Sequence, residues 1–180
     1  MKTDDFIDLI AQDNREDIRQ TFGQVLTVPK YILPLIALLP SLWLTVHTRR
    51  PEYSLDGRKR WLLAPALITL AMVVIAYSIE PQAAGLAALH GASMLMCLVS
   101  IPLLATPILA ALLWALKQGA CSSPAQTGAI AGIAAGCLSC SMYAFHCIED
   151  SPAFYGVWYT TAVLLVGVAG QQIGKRVLKW

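Results

Sequence analysis

The densest group of reactive side chains in this chain is His146-Cys147-Ile148-Glu149-Asp150-Ser151-Pro152. A thiolate, an imidazole and two carboxylates so close together can bind a soft or borderline metal ion, and a thiol held outside the cytoplasm can be oxidised or paired. The same string also reads as a helix end with solvated acids before a Ser-Pro turn, and taken alone it favours neither reading. Cys97 shifts the balance, because it lies about one turn below the outer end of a predicted helix, at nearly the depth of Cys147. A disulfide between them needs Cα atoms within roughly 7 Å. Cys137 and Cys140 are expected about 15 and 10 Å deeper, on the stripe that continues through Ala144 to Cys147. Thiols buried that way usually act as small apolar fillers. Their CxxC spacing lacks the βαβ context of a thioredoxin-like motif and is weak evidence for redox catalysis. Cys121 falls in an inside loop, where a reducing cytoplasm keeps it free. His47 and His90, near helix ends with no acidic or thiol neighbour in sequence, read as interfacial. No Ser-His-Asp order, HExxH, Walker loop or dinucleotide-binding turn is present.

The elements that must position these groups follow from composition. With 57% hydrophobic and only 13% charged residues and a mean hydropathy of +0.60, the chain is unlike a compact soluble domain. Its 13 basic and 11 acidic residues cluster in the first thirty positions, one loop and the C-terminus. That argues against a nucleic-acid surface, a charged soluble active site and a disordered chain. No basic start runs directly into an apolar stretch, so no secretory signal peptide is read. An odd number of cysteines, five, in hydrophobic surroundings excludes a multi-disulfide secreted scaffold.

Uncharged runs of about 20 residues predict five membrane-crossing helices, over Tyr31 to Thr48, Trp61 to Ile79, Ser93 to Leu116, Gln126 to Cys147 and Phe154 to Gly174. The expected fold is therefore all-α, a polytopic helical membrane bundle. Arg49, Arg50, Arg58, Lys59, Arg60, Lys117, Lys175, Arg176 and Lys179 place the first and third loops and the C-terminus inside. The loops from Glu80 to Ala92 and from Ile148 to Ala153 carry no Lys or Arg and belong outside. Five crossings then put the N-terminus outside. Trp61, Trp158 and Tyr159 read as interfacial aromatics. No Asp, Glu, Lys or Arg falls mid-span, which argues against an ion-coupled transporter. Gly128, Gly132 and Gly136 repeat every four residues, as Gly170 and Gly174 do, and read as helix-packing faces rather than phosphate cradles.

Two domains are expected. Residues 1–30 form an amphipathic segment, and residues 31–180 form a transmembrane helical domain. In the first, Thr3 caps a helix with Asp4 and Asp5 in its first turn and an apolar stripe of Phe6, Leu9 and Ile10. A second short helix is plausible from Asn14, with Ile18, Phe22 and Val25 on one face, better read as lying on the membrane surface.

Several stretches of this chain resemble the NrsF-type membrane anti-sigma factors of Gram-negative bacteria. They are Met1-Lys2-Thr3-Asp4-Asp5; Cys97-Leu98 ahead of Ile101-Pro102-Leu103; Gly128 to Gly136; and, most specific, Tyr143-Ala144-Phe145-His146-Cys147-Ile148-Glu149-Asp150-Ser151-Pro152-Ala153-Phe154. Trp158-Tyr159 and Gly174-Lys175-Arg176-Val177-Leu178-Lys179-Trp180 complete the match. The resemblance implies an inner-membrane protein whose cytoplasmic N-terminal segment, through Asp4, Asp5, Phe6, Leu9 and Ile10, sequesters an extracytoplasmic-function sigma factor. It further implies that Cys97 and Cys147 form an extracytoplasmic pair sensing redox or metal stress, with His146 and Glu149 tuning the thiol or completing a metal site. The family pattern has six helices with both ends inside. Relative to it, the first helix, expected between Asp13 and Asn14, is missing here.

The expectation is a sensor and anti-sigma regulator rather than an enzyme. No cofactor is certain; a soft or borderline metal ion at the cysteine pair is the candidate, and direct nucleic-acid binding is not expected. The main rival is a membrane thiol-redox enzyme passing electrons from an outside cysteine pair to quinone, for which only the CxxC at Cys137 and Cys140 speaks. A structural membrane subunit without a sensing role is the third reading.

Overall fold

The computed structural model describes residues 28, 30–48, 67–71, 74–75, 78, 94–147 and 151–178. Four helices organise them: α1 (Lys30–His47), α2 (Met94–Lys117), α3 (Pro124–Ala144) and α4 (Pro152–Val177). Residues 67–71, 74–75 and 78, between α1 and α2, are also helical, and no strand occurs among the described residues. The fold is all-α. Asp4, Asp5, Phe6, Leu9 and Ile10, like Glu149 and Asp150, lie outside the described residues.

Local chemistry sets the helix ends. α3 and α4 both start with proline at the first turn, Pro124 after Ser123 and Pro152 after Ser151, where the missing N–H costs nothing and the fixed φ suits a helix. α2 ends on Lys117 and α4 on Lys175 and Arg176, cations that complement the negative C-terminal ends of the helix dipoles. Pro102 and Pro107 fall inside α2; one turn after the first, the Thr106 hydroxyl donates to the Pro102 carbonyl at 3.0 Å. Ser139 and Ser141 do the same within α3, donating at 2.9 Å to the Ala135 and Cys137 carbonyls. Hydroxyls folded back onto their own helix need nothing from the surroundings, which is how polar side chains persist in a medium without water.

Packing is opposite to that of a soluble bundle. α3 is the central helix, buried nearly all round, while α2 buries one stripe, Cys97, Ile101, Ala105, Leu109, Leu113 and Leu116. The outer surface is covered by large apolar side chains such as Leu39, Leu95, Met96, Leu103 and Trp114, each at least two-thirds exposed. Water would not tolerate apolar surface on that scale, and lipid would. α1, α2 and α3 are each long and apolar enough to cross a membrane. α4, with 26 residues, is long enough but more polar, because Tyr155, Trp158, Tyr159, Thr160 and Thr161 fill its first half.

The centre is sealed by glycine. A Cβ placed on Gly132 would run into the Val166 carbonyl oxygen and come within 2.9 Å of the Gly167 Cα. One placed on Gly128 would strike the Gly170 carbonyl and lie 2.9 Å from the Gly174 Cα, while at Gly136 the Val163 Cα is 3.1 Å away. Gly128, Gly132, Gly170 and Gly174 thus let the α3 and α4 backbones touch, with dispersion supplying the attraction.

These contacts fix the order of the helix ends. Gly174 meets Gly128 and Pro124, and Leu116 shares a cluster with Leu178, so the basic ends of α2 and α4 lie beside the start of α3. At the opposite end lie the starts of α2 and α4, the end of α3, and Lys30 at the start of α1.

Candidate functional site

At that opposite end, Cys97 in the first turn of α2 and Cys147 just past α3 come together, with their Sγ atoms 3.9 Å apart. The α3 helix closes at Ala144 rather than continuing to Cys147, because the Phe145 and His146 amides turn back onto the Tyr143 carbonyl. The Cys147 amide nevertheless donates to the same carbonyl at 3.1 Å. This extra i→i−4 bond keeps Cys147 on the face that Tyr143, Cys140 and Ala144 define, and it explains how a residue beyond the helix sits at helical register.

The pair is enclosed. Cys97 is fully buried and Cys147 is 7% exposed, within a cluster that includes Ile101, Cys140, Tyr143, Phe154, Tyr155 and Tyr159. Tyr143 stands beside Cys97 in this cluster. Tyr159 lies beside Cys147, and no hydrogen bond of ordinary geometry reaches its buried hydroxyl. Lys30, 1% exposed, donates from Nζ to the Cys147 carbonyl and stands 5.8 Å from the Tyr31 ring centroid. Burying an amine is expensive unless its protons find acceptors, and here the acceptor is the peptide of the candidate thiol itself.

The two sulfurs are unbonded. Joining them would close the gap by about 1.9 Å, to the S–S length of about 2.05 Å. Two thiolates on one tetrahedral Zn2+ ion, each at about 2.3 Å, stand about 3.8 Å apart. The observed separation therefore suits a shared metal without rearrangement and a disulfide with a small one. The remaining candidate ligands are less well placed. His146 is exposed, packing edge-on to the Tyr143 ring at 6.2 Å, and Glu149 is outside the described residues. Among the described residues no group of three His, Cys, Asp or Glu side chains converges.

The other thiols divide. Cys140 joins the cluster around Cys97 and Cys147, whereas Cys137 packs with Leu38 and Ala134, so the two members of the CxxC face different neighbours. Cys121 is half-buried beyond α2. At the far end of α1, the His47 ring Nδ1 is 2.8 Å from the Trp43 carbonyl, which requires a donor N–H there. Sequence reasoning missed Lys30, Tyr143 and Tyr159. Tyr159 read as interfacial, but it is 5% exposed, because the Gly170–Gly174 contact draws α4 against α3 and turns that face inward. The i, i+4 spacing of Tyr155 and Tyr159 was the available signal.

Fold and site together define a helical bundle of the membrane type with a buried dithiol at one end. The family model described as "Negative regulator of sigma F" matches residues 7–180, and the chain belongs to this NrsF family. It is 34% identical over 129 residues, 69% of this chain and 60% of the relative, to a protein named anti-sigma-F factor NrsF in Caulobacter vibrioides. It is 33% identical over 84 residues, 47% of this chain and 39% of the relative, to a probable anti-sigma-F factor NrsF in Azospira oryzae. The chain thus matches less than two-thirds of the length of these relatives. No solved structure matches.

Proposed function

We propose that this protein is a multi-pass inner-membrane regulator that holds an extracytoplasmic-function sigma factor inactive and releases it when the Cys97–Cys147 pair is oxidised or takes up a soft metal ion. The observation that carries the reading is the 3.9 Å separation of two buried sulfurs on different elements, in a chain of a family described as negative regulators of sigma F. In the oxidative branch, one thiolate attacks peroxide to give a sulfenic acid and one water, and the second thiol attacks the sulfenic sulfur, forming the S–S bond and expelling its hydroxyl as the second water. Two thiols and one peroxide become one disulfide and two waters.

The response has a route out of the site. Cys147 is held by the Tyr143 carbonyl on one side and by Lys30 through its own carbonyl. Drawing Cys147 toward α2 therefore pulls on the first residue of α1, which adjoins the amphipathic segment 1–30 that carries Asp4, Asp5, Phe6, Leu9 and Ile10, the proposed sigma contacts. A two-state element biased by a covalent change is what such a switch requires.

The test has two parts. Thiol trapping before and after peroxide or Zn2+ is expected to protect Cys97 and Cys147 together while Cys121 stays reactive. Co-purification is expected to recover a sigma factor from reduced membranes, and to lose it on oxidation in the parent but not in the Cys97→Ser protein. No sigma factor in either state, together with an extracytoplasmic reporter signal at Met1, would defeat the regulatory reading. Unpaired labelling of Cys97 and Cys147 would defeat the sensor.

A further inference from the structure

Among the described residues, the buried side-chain polar atom that no hydrogen bond of ordinary geometry reaches is the Tyr159 hydroxyl, and it belongs to the cluster of the dithiol, beside Cys147. The residue is 5% exposed, so bulk water does not complete it. A buried donor without an acceptor is penalised unless some state of the molecule supplies one. A neutral thiol sulfur accepts only weakly, whereas an ionised Cys147 would be a charged and much stronger acceptor. The two sulfurs also differ in their surroundings. Cys97 is 0% exposed and Cys147 is 7% exposed, so what little access the pair has lies on the Cys147 side, just past the last turn of α3. Lys30 donates to the Cys147 carbonyl, setting a cation on the peptide of that thiol, while Lys117, Lys175 and Arg176 close the opposite end of the bundle. The other titratable groups around the pair are Cys140 and Tyr143 from α3 and Tyr155 from α4, with His146 next in sequence and exposed.

We propose that Cys147 is the attacking thiol of the pair and Cys97 the resolving one, with the Tyr159 hydroxyl as the positioning donor that pairs with the Cys147 sulfur when it ionises. This deepens the oxidative branch of the sensor reading and rests on it. A hydroxyl that bonds the charged form and not the neutral one favours the thiolate, which is the form that attacks. The Cys147 sulfur then takes one peroxide oxygen, the O–O bond breaks, and the expelled hydroxide leaves as water with the proton that the thiol gave up. Cys97, enclosed with its sulfur 3.9 Å away, attacks the sulfenic sulfur. The S–S bond forms, and the sulfenic hydroxyl departs with the Cys97 proton as the second water. Tyr159 emerges unchanged.

The experiment uses the full chain in nanodiscs and has two arms. In Cys97→Ser, which leaves Cys147 without its partner thiol, alkylation of Cys147 by a small uncharged reagent is followed against pH by mass spectrometry of the labelled peptide. Adding Tyr159→Phe is expected to move the midpoint of that profile up by about one pH unit, the effect of losing one hydrogen bond to a charged group. Below the midpoint, labelling is expected to slow about threefold, because the thiolate fraction falls roughly tenfold and the greater nucleophilicity of the more basic sulfur returns about a factor of three. Phenylalanine keeps the ring, and a mere packing defect would speed labelling at every pH. In the second arm, peroxide is added with dimedone as the trap. Sulfenic acid is expected on Cys147 in Cys97→Ser roughly tenfold faster than on Cys97 in Cys147→Ser. An unmoved profile, or faster labelling throughout, would overturn the role of Tyr159, and sulfenic acid forming as fast on Cys97 would overturn the assignment of the attacking thiol. Disulfide formation in the parent separates these failures from that of the sensor reading: with a disulfide formed, either result refutes this inference alone, and with neither disulfide nor sulfenic acid at either site both fall.

Discussion

Replacing Gly132 by alanine tests the seam that holds the bundle together. The added Cβ would collide with the Val166 carbonyl oxygen and stand 2.9 Å from the Gly167 Cα, both backbone atoms that no rotamer change can move. Carbon atoms prefer about 3.5–4.0 Å, so α3 and α4 must part locally by roughly 0.6–1.1 Å. A radial gap of 0.5–1 Å forfeits about a quarter to a half of each dispersion contact along the seam, and overpacking of this kind costs about 1–3 kcal/mol. Alanine also gains roughly 0.8–1 kcal/mol over glycine in a helix interior, so the clean quantity is a difference between two Gly→Ala variants. Gly167→Ala is the partner, because its Cβ meets the Ile133 Cγ1 at 3.1 Å and the Ala129 carbonyl only at 3.7 Å; Ile133 is half-buried and can turn away. Equilibrium unfolding in mixed micelles should place Gly132→Ala below Gly167→Ala by about 1–3 kcal/mol. The double variant Gly132→Ala/Gly170→Ala should cost less than the sum of its singles, since one separation relieves both clashes. A Gly167→Ala variant as unstable as Gly132→Ala would refute the backbone-contact argument.

Other perturbations probe the candidate site and its surroundings. Tyr159→Phe should stabilise the protein or leave it unchanged, by up to about 2 kcal/mol, because its buried hydroxyl makes no hydrogen bond of ordinary geometry; a clear loss of stability in the same micelle assay would show that the neighbouring Cys147 thiol is a true partner. Lys30→Met should leave Cys97–Cys147 disulfide formation intact yet uncouple it from sigma release, which trapping and co-purification read separately. Ser139→Ala should fall within about 0.5 kcal/mol of the parent, since that hydroxyl bonds only its own helix. Maleimide should label Cys121 in the native protein and reach Cys137 and Cys140, 2% and 1% exposed, only after denaturation, as mass spectrometry of the labelled peptides would report.

Much of the architecture was legible because its signals are local. Uncharged length gave the ends of α1 to α4 within about three residues of those observed. The spacing of Gly128, Gly132 and Gly136 marks a strip with no side chains to keep a neighbour away, and α4 lies on that strip. The depth argument that set Cys97 level with Cys147 worked because helical rise is fixed at about 1.5 Å per residue, and because one further amide bond carries that register past the end of α3. What sequence could not give was facing. Tyr159 and Lys30 are ordinary interfacial residues by type. Only the azimuth of α4 against α3, and of α1 against the α3–α4 corner, turns them inward; the i, i+4 spacing of Tyr155 and Tyr159 marks a shared face without saying which neighbour that face meets.

Lys30 also sharpens the question of sidedness. α1 starts beside Cys147 and passes Ala134 and Cys137 at Leu38, so it runs from the thiol end toward the end where Lys117, Lys175 and Arg176 close α2 and α4. If those basic ends face the cytoplasm, as the rule for short basic loops requires, the residues just before Lys30 emerge on the opposite side. The polar stretch Asp13-Asn14-Arg15-Glu16-Asp17 offers no apolar span to bring Asp4 to Ile10 back. A cytoplasmic sigma factor would then have to be held by the basic end, with α1 acting as the rod that carries the Cys147 displacement across. If instead Met1 is cytoplasmic, the thiol pair lies directly beneath the sigma contacts and Lys30 joins them in one step. A one-sided reporter at Met1, read alongside the alkylation rate of Cys121 from each side of sealed vesicles, separates the two. Met1 outside with Cys121 on the cytoplasmic face supports the rod, Met1 on the cytoplasmic face with Cys121 outside supports the direct contact, and a shared face would mean that α1 does not cross, which would overturn the helix order derived from the Lys30–Cys147 contact.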